Sequence, residues 1–278
     1  MKPGVVISGA STGIGAATAH ALARRGYVAF AGVRSDEDAR RLRELDPNVE
    51  PLALDVTDES SLAAAVASVQ ASGVTPVAVV SNAGIALGGP LETFPIDELR
   101  RQFEVNVFGA LRLVQAFARL LPPQTGRVIF VGSISGRLAT PYIGPYSASK
   151  FALRAIADAL RVELAPAGIA VTLVEPGSVK TPIWQKGRAM KDAMHARVGP
   201  DTRAHYRAAL DAVVAQTEIE ERTGMPVDVV AETIVRVIAA RKPPAQVLVG
   251  APARMGGVLA VLPAPWRDRA MRASLKLP

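Results

Sequence analysis

Seven short apolar, β-branched runs recur along this chain, each followed by a longer stretch with helical spacing, and that alternation restricts the fold more than any other feature. The runs are VVIS (5–8), VAFAGV (28–33), PLAL (51–54), VAVVS (77–81), RVIFVG (127–132), IAVTLVE (169–175) and QVLVG (246–250). Helical patterns lie between them, over 14–25, 59–71, 97–121, 151–165 and 228–240. Strand and helix in repeated alternation predict an α/β fold, a doubly wound (Rossmann) parallel seven-stranded sheet with helices on both faces. In such a sheet ligands bind at the carboxyl ends of the strands.

At 278 residues, 49% of them hydrophobic, the chain can bury one large core. It holds no cysteine, which excludes disulfides, thiolate catalysis and cysteine-ligated metal centres. The opening MKPGVVISGAS has too short an apolar stretch for a signal-peptide core, so a cytoplasmic location is expected. The longest apolar run, 255–266, is interrupted by Pro263 and Pro265 and is too short to span a bilayer. The net charge of +7 is concentrated between 241 and 278, where Arg241, Lys242, Arg254, Arg267, Arg269, Arg272 and Lys276 face a single acid, Asp268. The rest is nearly neutral, with no basic stripe interleaved with aromatics, and a nucleic-acid partner is not expected.

Two short motifs carry the chemistry. GASTGIG follows the first strand and opens the first helix, with Gly9, Gly13 and Gly15 where backbone N–H groups and a helix N-terminus can approach a pyrophosphate. No Gly-Lys-Ser/Thr follows, which excludes a nucleoside-triphosphate loop. YSASK places Tyr146 and Lys150 four apart at the start of an amphipathic helix, so both polar ends address one small volume. His195 and His205 show no metal-ligand spacing, and no metal is expected.

The glycine turn, SNAG (81–84), Asn106 in EVNVFGA, Ser133 in VGSIS and Tyr146-x-x-x-Lys150 occur in one order. Together they resemble the single-domain branch of the short-chain dehydrogenase/reductase family, nearest to its steroid- and retinol-dehydrogenase-like members, over residues 1 to about 250. Ser8 stands where the family often has threonine, and Ser81 where it often has asparagine. The resemblance implies an NAD(P)-dependent oxidoreductase in which Tyr146 is the acid when a ketone is reduced and the base when an alcohol is oxidised. A nearby Lys150 ammonium is expected to favour the phenolate and to bind the nicotinamide ribose. Ser133 then donates to the substrate oxygen and Asn106 holds a water that relays protons. By the same resemblance the cofactor lies on Gly9, Ser11, Thr12, Gly13, Ile14 and Gly15. Asp55 and Val56 meet adenine, Asn82, Ala83 and Gly84 line the ribose, and Pro176, Gly177, Val179 and Thr181 cradle the nicotinamide. Homodimers or homotetramers are implied as well. A non-catalytic cofactor sensor or partner-docking protein of the same fold is the alternative, although a sensor has no need of Asn, Ser, Tyr and Lys together.

Cofactor choice turns on the end of the second strand. An NAD-binding fold usually carries an acid there, whereas this strand ends in Val33 and Arg34 follows. A guanidinium pairs with a 2′-phosphate, so NADP(H) is preferred; Asp36, two residues on, keeps NAD(H) possible. Residues 180–224 have no strand pattern and are expected to form a substrate lid. There Trp184, Met190 and Met194 either contact a lipophilic, steroid-, retinoid- or acyl-like alcohol or ketone, or pack on the domain itself. The tail, 251–278, sets VLAVL beside Arg267, Arg269 and Arg272; it rests on an anionic bilayer, closes over the substrate, or is a plain surface helix.

Overall fold

The computed structural model describes residues 2–181 and 222–274, with positions 210, 215 and 219 between them. The seven apolar runs form strands β1 (Gly4–Ile7), β2 (Val28–Val33), β3 (Val49–Ala53), β4 (Pro76–Ser81), β5 (Arg127–Val131), β6 (Ala170–Pro176) and β7 (Gln246–Val249). All neighbours pair in parallel, in the order β3-β2-β1-β4-β5-β6-β7. The chain winds outward from β1 to β3 and then returns to start its second half at β4. That reversal opens a crevice beyond the carboxyl ends of β1 and β4.

Successive strand residues point to opposite faces of the sheet, and both faces are covered. On one side Val5, Ile7, Ala29 and Ala31 pack with Leu22 of α1 (Gly13–Ala23) and Ile234 of α7 (Val227–Ala239). On the other, Val6, Phe30, Val79 and Phe130 pack with Leu113 and Phe117 of α5 (Ala110–Phe117) and Leu153 of α6 (Gly144–Glu163). Two buried faces explain why the strands read as unbroken apolar runs.

Three differences from the sequence expectation stand out beyond shifts at element ends. β3 begins at Val49, ahead of Pro51; it is an edge strand, where a residue without an N–H is tolerated. The expected single helix over 97–121 is two, α4 (Ile96–Phe103) and α5, joined by a wide π-type turn at Glu104–Gly109. A Cβ at Gly109 would lie 2.6 Å from Val56 Cγ2, so this turn packs tightly against the segment after β3. Besides α3 (Glu59–Ala71), a polar helix α2 (Asp36–Leu45) follows β2, started by Ser35, whose hydroxyl accepts from the Asp38 N–H.

The tail continues from β7 as α8 (Ala251–Ala260) and α9 (Ala264–Ser274). α8 packs on β7 and on the turn after β5, with Ala253 fully buried. No helix among the described residues is long and apolar enough to cross a membrane.

Candidate active site

The glycine turn leaves β1 in a conformation that its glycines permit. Gly9 and Gly13 have φ of +65° and +60°, a region that disfavours a Cβ. A Cβ at Gly15 would stand 2.4 Å from the Gly9 carbonyl oxygen and 2.6 Å from Asn82 Nδ2. β4 braces the turn from beside it: Asn82 Nδ2 donates to the carbonyls of Ser8 (3.0 Å) and Gly9 (2.9 Å). The Ser8 hydroxyl accepts from the N–H groups of Asn82 and Ala83. Serine in place of threonine at position 8 keeps that oxygen.

α1 starts from Thr12, whose side chain makes no capping hydrogen bond, and there is no acid in its first turn. Its N–H groups and the positive end of the helix dipole are therefore available to an anion. A dinucleotide pyrophosphate fits this cradle, because any side chain at Gly9 or Gly15 would collide with backbone.

A cavity of about 1190 Å3 runs from the glycine turn to the start of α6. Gly9, Ser11, Thr12, Gly13 and Ile14 line one end, and Gly15 is buried behind them. Arg34 is exposed at the rim, whereas Asp36, in the first turn of α2, is not part of the wall. Asp55 and Val56 line the same end, and Asp55 is oriented by accepting from the N–H (2.9 Å) and hydroxyl (2.7 Å) of Thr57. Asn82, Ala83 and Gly84 continue the wall toward Ser133, Tyr146 and Lys150. Pro176, Gly177, Val179 and Thr181 close the far side at the end of β6. Trp184, Met190, Met194, His195 and His205 lie outside the described residues.

Ser133 follows β5 and caps a short 3-10 turn, its hydroxyl accepting from the Ser135 N–H at 3.1 Å. Tyr146 and Lys150 are buried in the first two turns of α6, which Pro145 helps to start. Lys150 Nζ donates to the Val131 carbonyl at 3.0 Å and lies 5.7 Å from the centre of the Tyr146 ring. Burial pushes the phenol up to about 12, against a hydrogen bond with Ser133 that acts in the other direction. Burial also pulls the Lys150 ammonium down to about 8. The direction of the Tyr146 shift is opposite to the phenolate expected from the sequence: burial comes first among its causes, and only the Ser133 hydrogen bond acts the other way.

The pH dependence follows from these two shifts. Through neutral pH the phenol is protonated and the lysine charged, the pair of states that a proton donor to a carbonyl needs. The kcat/KM for reduction is expected to stay level and then fall as pH rises through about 8, where Lys150 loses its proton. A rate that instead climbs steadily above that pH would contradict the assignment.

Asn106 sits in the π-type turn with its side chain fully engaged. Oδ1 accepts from the Ile85 N–H (2.8 Å), while Nδ2 donates to the Ile85 carbonyl (2.9 Å) and to Ser149 Oγ (3.0 Å). It ties the loop after β4 to α6, and Ser149 passes the tie on to the Tyr146 carbonyl at 2.7 Å. Sequence reasoning missed Ser149, although it lies inside YSASK on the buried side of the helix.

It also missed Glu175, an acid inside an apolar run and directly before Pro-Gly. Its side chain is almost completely buried, and Arg137 Nε donates to both carboxylate oxygens at 2.9 Å. Arg154 adds a contact at 3.3 Å, and Gln246 Oε1 accepts from Arg137 at 2.6 Å. This network fastens the turn after Ser133 to β6, β7 and α6. Glu175→Leu would leave Arg137 without its partner and is expected to destabilise the fold by about 3 kcal/mol, the low end for a broken buried pair because Arg137 retains 20% exposure. Denaturant unfolding checks this, and a loss under about 1 kcal/mol would show the network to be incidental.

The comparisons with known proteins agree with this geometry. The model of the short chain dehydrogenase family matches residues 4–192. An NADPH-dependent 3-dehydrocapnine reductase of Ornithobacterium rhinotracheale is 38% identical over 256 residues, 88% of this chain and 87% of that protein. The short-chain dehydrogenase PC-15 of Penicillium crustosum is 36% identical over 86% of this chain and 85% of its own. Among solved structures, a short chain dehydrogenase from Burkholderia cenocepacia in complex with NADP superposes with TM-score 0.72 at 27% identity, covering 100% of this chain and 98% of that one. A relative from Burkholderia phymatum in complex with NAD gives 0.77 at 26%, covering 100% and 96%. With the glycine cradle and the Ser133–Tyr146–Lys150 group at the two ends of one cavity, and with a family match over most of the chain, the protein is an NAD(P)-dependent oxidoreductase that belongs to the short-chain dehydrogenase family.

Proposed function

We propose that the enzyme transfers a hydride between NADP(H) and a lipophilic alcohol or ketone, and that it works as a reductase. The observation that carries this reading is the apolar share of the cavity wall: Leu87, Ile134, Leu138, Pro141 and Ile143 line the same cavity as Ser133 and Tyr146. When bound, the dinucleotide supplies the hydride at its nicotinamide ring; everything else falls to the chain. Arg34 at the rim pairs with a 2′-phosphate, and the α1 N-terminus holds the pyrophosphate. Ser133 donates a hydrogen bond to the carbonyl oxygen, and the protonated Tyr146 hydroxyl delivers the proton to that same oxygen. Lys150 positions the ribose and keeps positive charge behind the phenol. The amide of Asn106 is fully engaged with Ile85 and Ser149, so its part is to hold the loop after β4 against the start of α6, where Tyr146 stands. The named activity of the 3-dehydrocapnine reductase supports the reductive direction and the use of NADPH.

We further place the enzyme in the cytoplasm as a homodimer or homotetramer whose C-terminal segment meets the membrane peripherally. Phe108 and Phe151, half-exposed on neighbouring elements, support an assembly face. The substrate reading is tested with ketones of increasing apolar chain length at fixed NADPH. The kcat/KM is expected to rise about tenfold for every two buried methylenes until the cavity is filled. A flat series, or a preference for small polar carbonyls, would overturn the lipophilic assignment.

A further inference from the structure

The C-terminal helices are built inside out for a water-facing element. On α8 the small residues Ala253, Gly256, Gly257 and Ala260 recur at i, i+3, i+4 and i+7, and this row faces the protein. A Cβ at Gly256 would stand 2.6 Å from Ile134 Cγ1, and Pro252 and Gly256 are part of the cavity wall. The large apolar residues point the other way. Met255 is 72% exposed, Val258 67% and Val261 82%, and Trp266 on α9 is 68% exposed. Arg254, Arg267, Arg269 and Arg272 accompany them, opposed by Asp268 alone, and none of the four forms an ion pair with another described residue.

We propose that this helix pair is a docking surface for an anionic lipid bilayer, and that docking sets one wall of the active-site cavity against the lipid. Apolar side chains and a tryptophan between arginines match the acyl boundary and the headgroups of such a surface. A second copy of the chain fits less well, because pairing the same face would oppose two sets of four arginines. The docking deepens the peripheral membrane contact proposed above, and its purpose, access for a lipophilic carbonyl, rests on the substrate reading.

The test is co-sedimentation of the full chain with vesicles of equal parts phosphatidylglycerol and phosphatidylcholine, against vesicles of phosphatidylcholine alone. Wild type is expected to pellet with the anionic vesicles at low salt and to be released at high salt. The triple variant Arg267→Ser, Arg269→Ser, Arg272→Ser should lose about a hundredfold in partition. Val258→Ser with Val261→Ser and Trp266→Ser should lose about tenfold or more. None of these residues lines the cavity, so turnover of a water-soluble ketone stays unchanged and shows that the variants are folded. If the lipophilic reading alone fails, the ketone series is flat while sedimentation is kept. Failure to pellet at low ionic strength overturns the docking proposal, as does wild-type binding by both variants. Self-association abolished by the same substitutions, without vesicle binding, assigns the face to a second copy and overturns it too.

Discussion

Tyr146→Phe lowers kcat for carbonyl reduction by about three orders of magnitude and leaves NADPH affinity within about twofold. The ring keeps its shape in a buried slot of α6, so Lys150 and Ser133 retain their surroundings. What is removed is the phenolic hydroxyl that hydrogen-bonds with Ser133 and is protonated at neutral pH. Ser133 cannot replace it, since an unperturbed aliphatic hydroxyl is a far weaker acid than a phenol. Single-turnover kinetics with pre-bound NADPH separate the chemical step from binding. Loss of affinity together with rate would mean that Tyr146 holds the cofactor rather than the proton.

Arg34→Ala lowers kcat/KM with NADPH by about ten- to a hundredfold, the loss of one or two charge-assisted hydrogen bonds, and leaves kcat/KM with NADH within about twofold. The guanidinium lies at the cavity rim directly after β2, and no carboxylate stands at Val33 to repel a 2′-phosphate. Arg41 is not part of the cavity wall, and its Nη2 donates to the Ser11 carbonyl and to Asp38. Val33→Asp should move the preference further toward NADH. Equal losses with the two cofactors would show that Arg34 acts on the fold of the turn and not on the phosphate.

How much of this was legible in the sequence depends on the range of the forces involved. The strands, the glycine turn and YSASK are local patterns: a period of two buried faces, a left-handed φ at Gly9 and Gly13, a spacing of four on a helix. They could be read without a partner. The Arg137–Glu175 pair could not, because its members are 38 residues apart and only the β5–β6 pairing brings them together. The break at Glu104–Gly109 was hidden for a similar reason, since the close approach of Gly109 to Val56 that accompanies it joins distant parts of the chain. The upward push on the phenol was not legible because the depth of burial around Tyr146 is set by the packed fold. Closure of the tail over the substrate was one of the readings open from the sequence; that Pro252 and Gly256 reach the cavity wall follows from how α8 folds back onto the turn after Ser133.

Hydride transfer itself is the central claim, and isotope transfer measures it without reliance on any mutant. NADPH deuterated at the reactive nicotinamide carbon is incubated with the enzyme and a long-chain ketone, and the alcohol formed is analysed by mass spectrometry. One deuterium on the carbinol carbon, from one face of the nicotinamide only, is the predicted result. Tight NADPH binding with no deuterated alcohol from any carbonyl in a broad panel would contradict the account and leave a cofactor-binding protein without the reductase chemistry.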